Sequence, residues 1–296
     1  MSKQPQKIKI LVACHKYDNN VRKDDTFIPI QVGKSLHPEL DLGFICDNSG
    51  DNISAKNSSY CELTALYWAW KNIKDVDYVG LCHYRRYFDF KSFGSSVRII
   101  DDKQIGTLTD LDPHIHEMKE NQVILPTFWR TPYSIWNNFL AQVQAQDLYI
   151  LYKVLEKYEP SYLKTFERYM LGNKRTGYNM FVMSYNNFIK YCDWLFPLLS
   201  KVEMRVKESP YISYKRLYGY LGEILLPVYC IKNNLEIVEK RAAFCDGTPS
   251  KLNTKGRIQI KNFVYNISHL LGQIPPIKTL RNKYWEQYLK MDNIDI

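Results

Sequence analysis

The chain contains 296 residues, and its hydrophobic fraction of 45% is large enough to bury a core, which excludes a wholly disordered protein. No apolar stretch approaches the roughly 18 residues of a transmembrane helix, and the first residues lack the apolar segment of a secretory signal. The chain has seven cysteines and no CxxC pair, which is typical of reduced thiols. We therefore expect a cytoplasmic protein, whose formal net charge of +9 favours an anionic partner.

Four short apolar runs predict buried strands, namely residues 8–14, 40–46, 77–82 and 122–126. Because helical patterns separate these runs, they indicate an α/β fold with a mostly parallel sheet covered by helices on both faces. Ligands of such sheets bind at the carboxyl ends of the strands, so the residues after each run are candidates for a site. His15 follows the first run, although taken alone it is better explained as part of a surface loop.

Helical patterns dominate the rest of the chain. A helix is predicted over residues 60–73, opened by a capping box of Ser59 and Glu62. Further helices and two strands are predicted, the helices at 139–158, 160–170, 187–202 and 213–231 and the strands at 178–183 and 235–238. A polar segment at 247–256 suggests a boundary. We expect one domain over residues 1–250 and a basic, aromatic-rich extension over 251–296.

A polar loop follows the second run and leads into the first long helix. Its candidate residues are Asp47, Asp51, Asn52, Lys56 and Asn57. Backbone N–H groups at a helix N-terminus, with a lysine beside them, can hold a diphosphate, and the two carboxylates can accept hydrogen bonds from sugar hydroxyls. The same residue types also form turns that cap their own backbone, so the loop taken alone leaves both interpretations open.

The segment His83, Tyr84, Arg85 and Arg86 directly follows the third run. Two adjacent arginines are costly to bury without anionic partners, and a guanidinium group matches phosphate oxygens in a bidentate manner. His83 can donate a hydrogen bond to a phosphate or exchange a proton near neutral pH. The alternative is an internal salt bridge, for example to Glu62, with His83 as a core residue.

Two further residues, Glu223 and Asn179, lie in short glycine-containing motifs. A carboxylate on an otherwise apolar helix needs a partner or a raised pKa, and either can accompany a general base. The alternative for Glu223 is a pair with an arginine. Motifs of P-loop, GxGxxG, HExxH and GxSxG type are absent from the sequence. The D-x-D pairs at 75–77 and 110–112 do not follow the carboxyl end of a strand, which weakens the case for a divalent metal.

Seven segments together resemble a bacterial family encoded in capsular, exopolysaccharide and O-antigen clusters and long catalogued as a domain of unknown function. These segments are residues 8–15, 47–54, 60–68, 78–88, 178–183, 191–196 and 219–223. The resemblance implies a GT-A-like glycosyltransferase, with a Rossmann-type sheet for a sugar nucleotide, a helical insertion on the acceptor side and a C-terminal helical tail. Some members are thought to transfer galactofuranose from UDP-galactofuranose.

On this resemblance we expect a UDP-sugar to bind near His15, Asp47 and Asn52, while Lys56, Arg85 and Arg86 neutralise its diphosphate. Asn57, Tyr84 and Asn179 are assigned to the same donor site. Glu223 or Asp51 is the candidate base that deprotonates the acceptor hydroxyl, and His83 is a further catalytic candidate. Because cationic side chains occupy the strand end where GT-A enzymes usually place metal-binding aspartates, we expect no metal cofactor.

The extension at 251–296 holds eight Lys/Arg residues and three acids. Its cations and aromatic residues at 281–290 suit peripheral contact with the inner face of the membrane, where the acceptor would be a sugar on a polyprenyl diphosphate. A helix packed on the domain is the alternative. Two other classes stay open, a nucleic-acid-binding protein and a non-catalytic subunit of a polysaccharide assembly.

Overall fold

The computed structural model describes residues 6–90, 97–101, 104–105, 118–207, 209–245, 255–272, 274–278 and 284–296. The chain contains both strands and helices, and the predicted α/β class is confirmed. The strands are β1 (Ile8–Cys14), β2 (Phe27–Gln31), β3 (Ile45–Cys46), β4 (Tyr78–His83), β5 (Arg86–Asp89), β6 (Val97–Ile100), β7 (Gln122–Pro126), β8 (Trp129–Arg130), β9 (Lys174–Arg175), β10 (Phe181–Ser184) and β11 (Glu236–Cys245).

Within the described residues, nine of these strands form one sheet, and β8 pairs with β9 in a separate ribbon. Strands β3, β2, β1 and β4 lie side by side and parallel, and β6 and β7 are parallel to β11. Strand β10 runs antiparallel to both β4 and β7 and thereby joins the two parallel halves. Strand β5 is antiparallel to β4 and β11. The sheet is therefore mixed, and the strand order reverses direction between β1 and β4.

Nine helices occur within the described residues. They are α1 (Asn57–Tyr60), α2 (Leu63–Asn72), α3 (Ile135–Phe139), α4 (Ala145–Tyr158), α5 (Pro160–Leu171), α6 (Tyr185–Glu203), α7 (Leu217–Lys232), α8 (Lys255–Leu271) and α9 (Tyr284–Met291). Helix α7 is buried on nearly all sides because its sequence is almost entirely apolar, and it continues through Pro227. It packs against α1, α5 and α6, so the main core lies between this helical layer and the sheet.

The predicted helix over 60–73 is interrupted at Cys61, whose φ of 52° lies in the left-handed region. Ser59 falls inside α1, and Glu62 precedes α2 without a side-chain capping bond, so the predicted capping box is wrong. The physical reason is that Glu62 uses its carboxylate elsewhere, accepting a hydrogen bond from the Asn179 amide at 2.7 Å. The break therefore points Cys61 and Glu62 away from the helix axis and toward the sheet edge.

The two C-terminal helices contact the body of the protein in different ways. Helix α9 buries Leu289, and its Glu286 forms an ion pair with Lys153 of α4 at 2.9 Å. Trp285 lies beside Tyr149, with ring centroids 6.5 Å apart. The alternative of a packed helix therefore holds for α9, while residues 281–283 of the segment expected at the membrane lie outside the described residues. No helix in the described part of the chain is long and apolar enough to cross a membrane.

Candidate functional site

A cavity of about 1030 Å³ lies at the carboxyl ends of β1 and β4, where the strand order reverses. Strand ends diverge at such a switch point and leave a crevice, which is where open α/β sheets bind ligands. The walls come from the β1 and β4 ends, the junction of α1 and α2, the end of β11, the start of α7 and one side of α8. Residues far apart in the sequence therefore meet around one space.

Arg86 enters this cavity from the start of β5, just after the tight turn at Tyr84 and Arg85. Its guanidinium lies between two aromatic rings, 5.1 Å from the centroid of Tyr178 and 5.0 Å from that of Phe244. No acid of the described chain forms an ion pair with it. The aromatic faces attract the cation but leave its N–H donors available to an anion in the cavity.

Arg216 reaches the same cavity from the residue before α7. Its Nε donates to the Cys61 sulfur at 3.2 Å, and no carboxylate among the described residues forms an ion pair with it. Burial opposes its charge, but the nearby Cys61 and Glu62 raise its pKa above the ordinary value. Arg216 therefore stays protonated. Sequence reasoning missed it, because a basic residue before an apolar helix carries no signal of its own.

Arg85 also lines the cavity, but it has a carboxylate partner. Its Nε donates to Asp18 at 3.1 Å, and its guanidinium lies 5.2 Å from the ring centroid of Tyr84. The alternative of an internal salt bridge thus applies to Arg85, with Asp18 as the partner instead of Glu62. Arg85 contributes positive potential to the cavity while one of its N–H groups is already in use.

The two histidines of the site are predominantly neutral at pH 7. Burial lowers the pKa of His15, and the positive charges of Lys16 and Arg216 lower it further. Burial also lowers the pKa of His83, which outweighs the opposing effect of Glu62. The Nε2 atom of His83 lies 2.7 Å from the Tyr178 carbonyl, and since a carbonyl only accepts, this nitrogen carries the proton. The positive charge of Arg85 acts on His15 in the same direction.

Glu62 supplies a carboxylate to the cavity wall, and it is the only acid among the described lining residues. Its side chain is 7% exposed, and its Oε1 lies 4.0 Å from Nε2 of His83. Sequence analysis considered Glu62 only as a helix cap or as the partner of an arginine. Its role as a cavity residue follows from the backbone break at Cys61, which no local pattern announces.

Asn179 lies behind Glu62 and not in the cavity wall. Its amide nitrogen donates to Glu62 at 2.7 Å and to the Gly219 carbonyl at 2.9 Å. Tyr178 and Asn179 both have positive φ, 73° and 51°, which is a costly backbone conformation for residues other than glycine. This conformation lets Tyr178 present its carbonyl to His83 while the next residue holds Glu62.

Glu223 lies one layer deeper and is not among the lining residues. Burial raises its pKa to about 7, against the lowering effects of Arg175 and of the Tyr178 backbone N–H. Its Oε2 accepts from Nη2 of Arg175 at 3.0 Å, which is the arginine pair that sequence analysis left open. Through Tyr178, Glu223 supports the peptide whose carbonyl fixes His83.

The loop after the second run is brought to the cavity only at its end, through Asn57. Asp47 is fully buried and accepts hydrogen bonds from the Gly33 backbone at 2.8 Å and the Thr64 hydroxyl at 2.6 Å. Asn57 donates to the Cys61 carbonyl at 2.7 Å and so helps to hold the helix break. Asp47 therefore ties its loop to the end of β2 and to α2, and it does not line the cavity.

The other three loop residues face away from the cavity. The hydroxyl of Tyr67 donates to Asp51 at 3.2 Å, and the Asn52 amide donates to the Gly50 carbonyl of its own turn at 2.8 Å. Lys56 forms an ion pair with Glu203 at 2.7 Å. The structure therefore gathers His15, Asn57 and residues 83–86 in one place and leaves Asp51, Asn52 and Lys56 outside it.

The fold and cavity define an α/β protein with a cationic ligand cavity at a sheet switch point. A family model described as a domain of unknown function, DUF4422, matches residues 9–234, and the chain belongs to that family. The family resemblance stated from the sequence is confirmed. No curated protein gives a significant match.

Among solved structures, the chain is similar to the apo structure of the bifunctional glycosyltransferase WbbM. The TM-score is 0.75 at 28% identity, and the match covers 81% of this chain and 45% of WbbM. The chain thus spans less than half the length of that protein.

Proposed function

We propose that this protein is a GT-A-like glycosyltransferase that takes a sugar from a UDP-sugar and transfers it to a hydroxyl of a glycan or lipid-linked acceptor. The DUF4422 membership and the likeness to WbbM support this class of reaction. The run of β3, β2, β1 and β4, with the cavity at the reversal between β1 and β4, is the arrangement of a nucleotide-binding half-sheet. The resemblance makes UDP-galactofuranose the first donor to test.

The observation that carries the proposal is the pair of guanidinium groups, Arg86 and Arg216, that line the cavity without carboxylate partners in the described chain. Arg86 is partly buried and Arg216 is exposed, and both line the same cavity, so their like charges repel each other unless a ligand of the opposite sign binds. A diphosphate matches this arrangement, because each guanidinium can donate two parallel hydrogen bonds to phosphate oxygens. His15 and Arg85 add donors at the same strand ends.

The same groups favour bond cleavage. Negative charge grows on the UDP leaving group as the glycosidic bond breaks, so fixed cationic donors stabilise the transition state more than the ground state. We assign the general base to Glu62, because it is the carboxylate among the described lining residues and the hydrogen bond from the Asn179 amide fixes its orientation. Glu223, expected earlier as a base, becomes a positioning residue behind Tyr178.

The residues at the end of β4 do not fit a divalent metal ion. His83, Tyr84 and Arg85 stand there, and the cationic side chains around them repel a metal ion while offering a single carboxylate, Glu62. In the described part of the chain, no group of three His, Cys, Asp or Glu side chains is arranged to hold a metal. We therefore propose that the arginines take over the neutralisation of the diphosphate.

The deciding experiment is a thermal-shift and calorimetric screen against UDP, GDP and several UDP-sugars, because a specific ligand stabilises the native state by mass action. UDP and one UDP-sugar are expected to bind to the wild type and to lose most of their affinity in Arg86→Gln and Arg216→Gln. Arg168→Gln, on the exposed side of α5, is the matched control and keeps wild-type affinity. Failure of every nucleotide to bind would favour a non-catalytic subunit.

A further inference from the structure

Helix α8 is amphipathic, but most of its apolar side chains face away from the protein. Its side toward the protein carries Ile258, Asn262 and His269, which are partly buried. Asn262 docks the helix to the edge of the sheet, donating to the Ile99 carbonyl at 2.9 Å and accepting from the Ile99 backbone N–H at 2.8 Å. In a globular domain the apolar side of a helix normally faces the core, and here polar groups hold the inner side.

The outer side of α8 is a continuous apolar stripe. At 3.6 residues per turn its six large side chains fall within an arc of roughly 120°. They are Ile260, Phe263, Val264, Ile267, Leu270 and Leu271, with exposed fractions from 38% to 73%. A contiguous exposed patch of this kind marks an interaction surface, because solitary exposed apolar residues do not align along one helix face.

We infer that α8 lies in the interface of an anionic lipid bilayer and seats the protein on the membrane beside its cavity. The helix carries Lys255, Arg257 and Lys261 and no acidic residue over 255–271, which is the composition of an interfacial helix that binds anionic lipids. The inference deepens the proposed function, since it says where a lipid-linked acceptor would meet the site. The lipid contact itself needs no glycosyl transfer.

Charge favours this occupant over a second copy of the chain. Two α8 helices packed face to face would bring six cations together without an acid on either helix, and each chain carries a net charge of +9. Like charges placed opposite one another destabilise such an interface, whereas an anionic surface attracts all of them. An anionic bilayer can cover the apolar stripe and also attract a helix of this basic sequence.

The stripe is also continuous with the cavity. Ile260 and Val264 belong both to the apolar stripe and to the cavity wall, and Lys261 and Tyr265 line the cavity from the same helix. The segment after α8 is fixed as well, since the Ser134 backbone N–H donates to the Ile277 carbonyl at 3.1 Å. A bilayer on the stripe would therefore meet the cavity at a set orientation.

Helix α9 offers a smaller surface, where Tyr284, Tyr288 and Met291 are 50–74% exposed. Its Leu289 is buried, and its Trp285 and Glu286 contact α4. Within the extension at 251–296 that the sequence assigns to membrane contact, the proposed lipid contact therefore lies on α8 rather than on residues 281–290.

Vesicle flotation of the full chain tests the inference. The probes are vesicles of phosphatidylcholine alone and vesicles that also contain phosphatidylglycerol. The wild type is expected to float with the anionic vesicles, and the double variant Phe263→Ser/Leu270→Ser to bind at least about tenfold more weakly, because two exposed apolar side chains can no longer enter the interface. The double variant Met204→Ser/Ile212→Ser, at exposed positions outside α8, is the matched control.

Three outcomes would overturn the inference. They are a wild type that stays with the soluble fraction, equal binding of the α8 and control variants, and a concentration-dependent dimer that the α8 substitutions abolish. Sedimentation velocity measures the last of these. Phe263 and Leu270 do not line the cavity, so UDP-sugar binding by the α8 variant separates this inference from the proposed function. Binding of the nucleotide with loss of flotation supports both, and flotation without any nucleotide binding refutes only the proposed function.

Discussion

Replacement of Arg86 or Arg216 by glutamine should lower kcat far more than it changes the stability of the fold. Both guanidinium groups line the cavity without an acid partner in the described chain. Removing one fixed donor that faces developing charge typically costs about 2.7–4 kcal/mol of transition-state stabilisation, or roughly 10²–10³ in kcat. Because the same donors also hold the diphosphate of the bound UDP-sugar, KM should rise as well, and kcat/KM should fall by more than kcat alone.

Arg86→Gln should change the free energy of unfolding only slightly. Arg86 gains only its two aromatic contacts, at 5.1 and 5.0 Å, and such contacts contribute roughly 0.5–1 kcal/mol each at partly exposed sites. Removing a partly buried charge that lacks a partner returns a similar amount. We therefore expect the free energy of unfolding of Arg86→Gln to stay within about 1 kcal/mol of the wild type.

The assay is steady-state release of UDP from the UDP-sugar that binds best, with unfolding in urea measured on the same preparations. Arg216→Lys should recover part of the loss, because it restores the charge but not the bidentate fork. The double variant Arg86→Gln/Arg216→Gln should lose less than the sum of the single free energies if both groups act on one diphosphate. A loss in kcat below about fivefold in both single variants would refute the proposed role.

Three further predictions concern other parts of the site. Asp47→Ala should destabilise the fold by about 3 kcal/mol, since the buried donors of Gly33 and Thr64 lose their acceptor, and it should leave the KM for the UDP-sugar unchanged. Urea unfolding measures the stability, and steady-state kinetics measure the KM. A raised KM without a loss of stability would return Asp47 to the donor site. The raised pKa of Glu223, about 7, makes the folded state hold a proton that the unfolded state releases near pH 4. Its contribution to stability is therefore present below pH 4 and is lost as the pH rises to about 7. Thermal melts across this range should show a melting temperature that declines with pH, and Glu223→Gln should flatten that decline. The same pH dependence in Glu223→Gln would contradict the pKa shift. UDP release should continue in excess EDTA, and a complete loss that Mn²⁺ restores would refute the proposed role of the arginines.

The parts of the fold that were predictable are those in which one short segment carries its own signal. Strands β1, β4 and β7 are buried on both faces, so their sequences are continuous apolar runs. Strand β5 was not predicted, because it begins with the charged residue Arg86, which is placed at a strand start by its position in the cavity wall. The run at 40–46 was predicted as a full strand, but only Ile45–Cys46 pairs with β2, since the chain bends just before it at Gly43, whose φ is 70°.

The candidate site was predictable only where it follows a strand. His15 and residues 83–86 were found because the ends of adjacent parallel strands must meet, and Ala13 indeed lies opposite His83 in the register of β1 and β4. Arg216 and the cavity face of α8 come from segments whose positions depend on how the whole chain packs. The polar loop at Asp47 misled the prediction, because the residues that bind sugars are also those that cap turns.

The strained peptide at Tyr178 and Asn179 connects these observations. Two consecutive residues with positive φ cost the fold free energy, and their surroundings must hold them in place. The backbone N–H of Tyr178 donates a hydrogen bond to Glu223, its carbonyl accepts a hydrogen bond from His83, and the Asn179 amide donates to Glu62. One strained turn thus orients the carboxylate and the histidine of the cavity at the same time. Relaxing it would release both groups, which is why we regard this turn as part of the site although none of its hydrogen bonds reaches the ligand space.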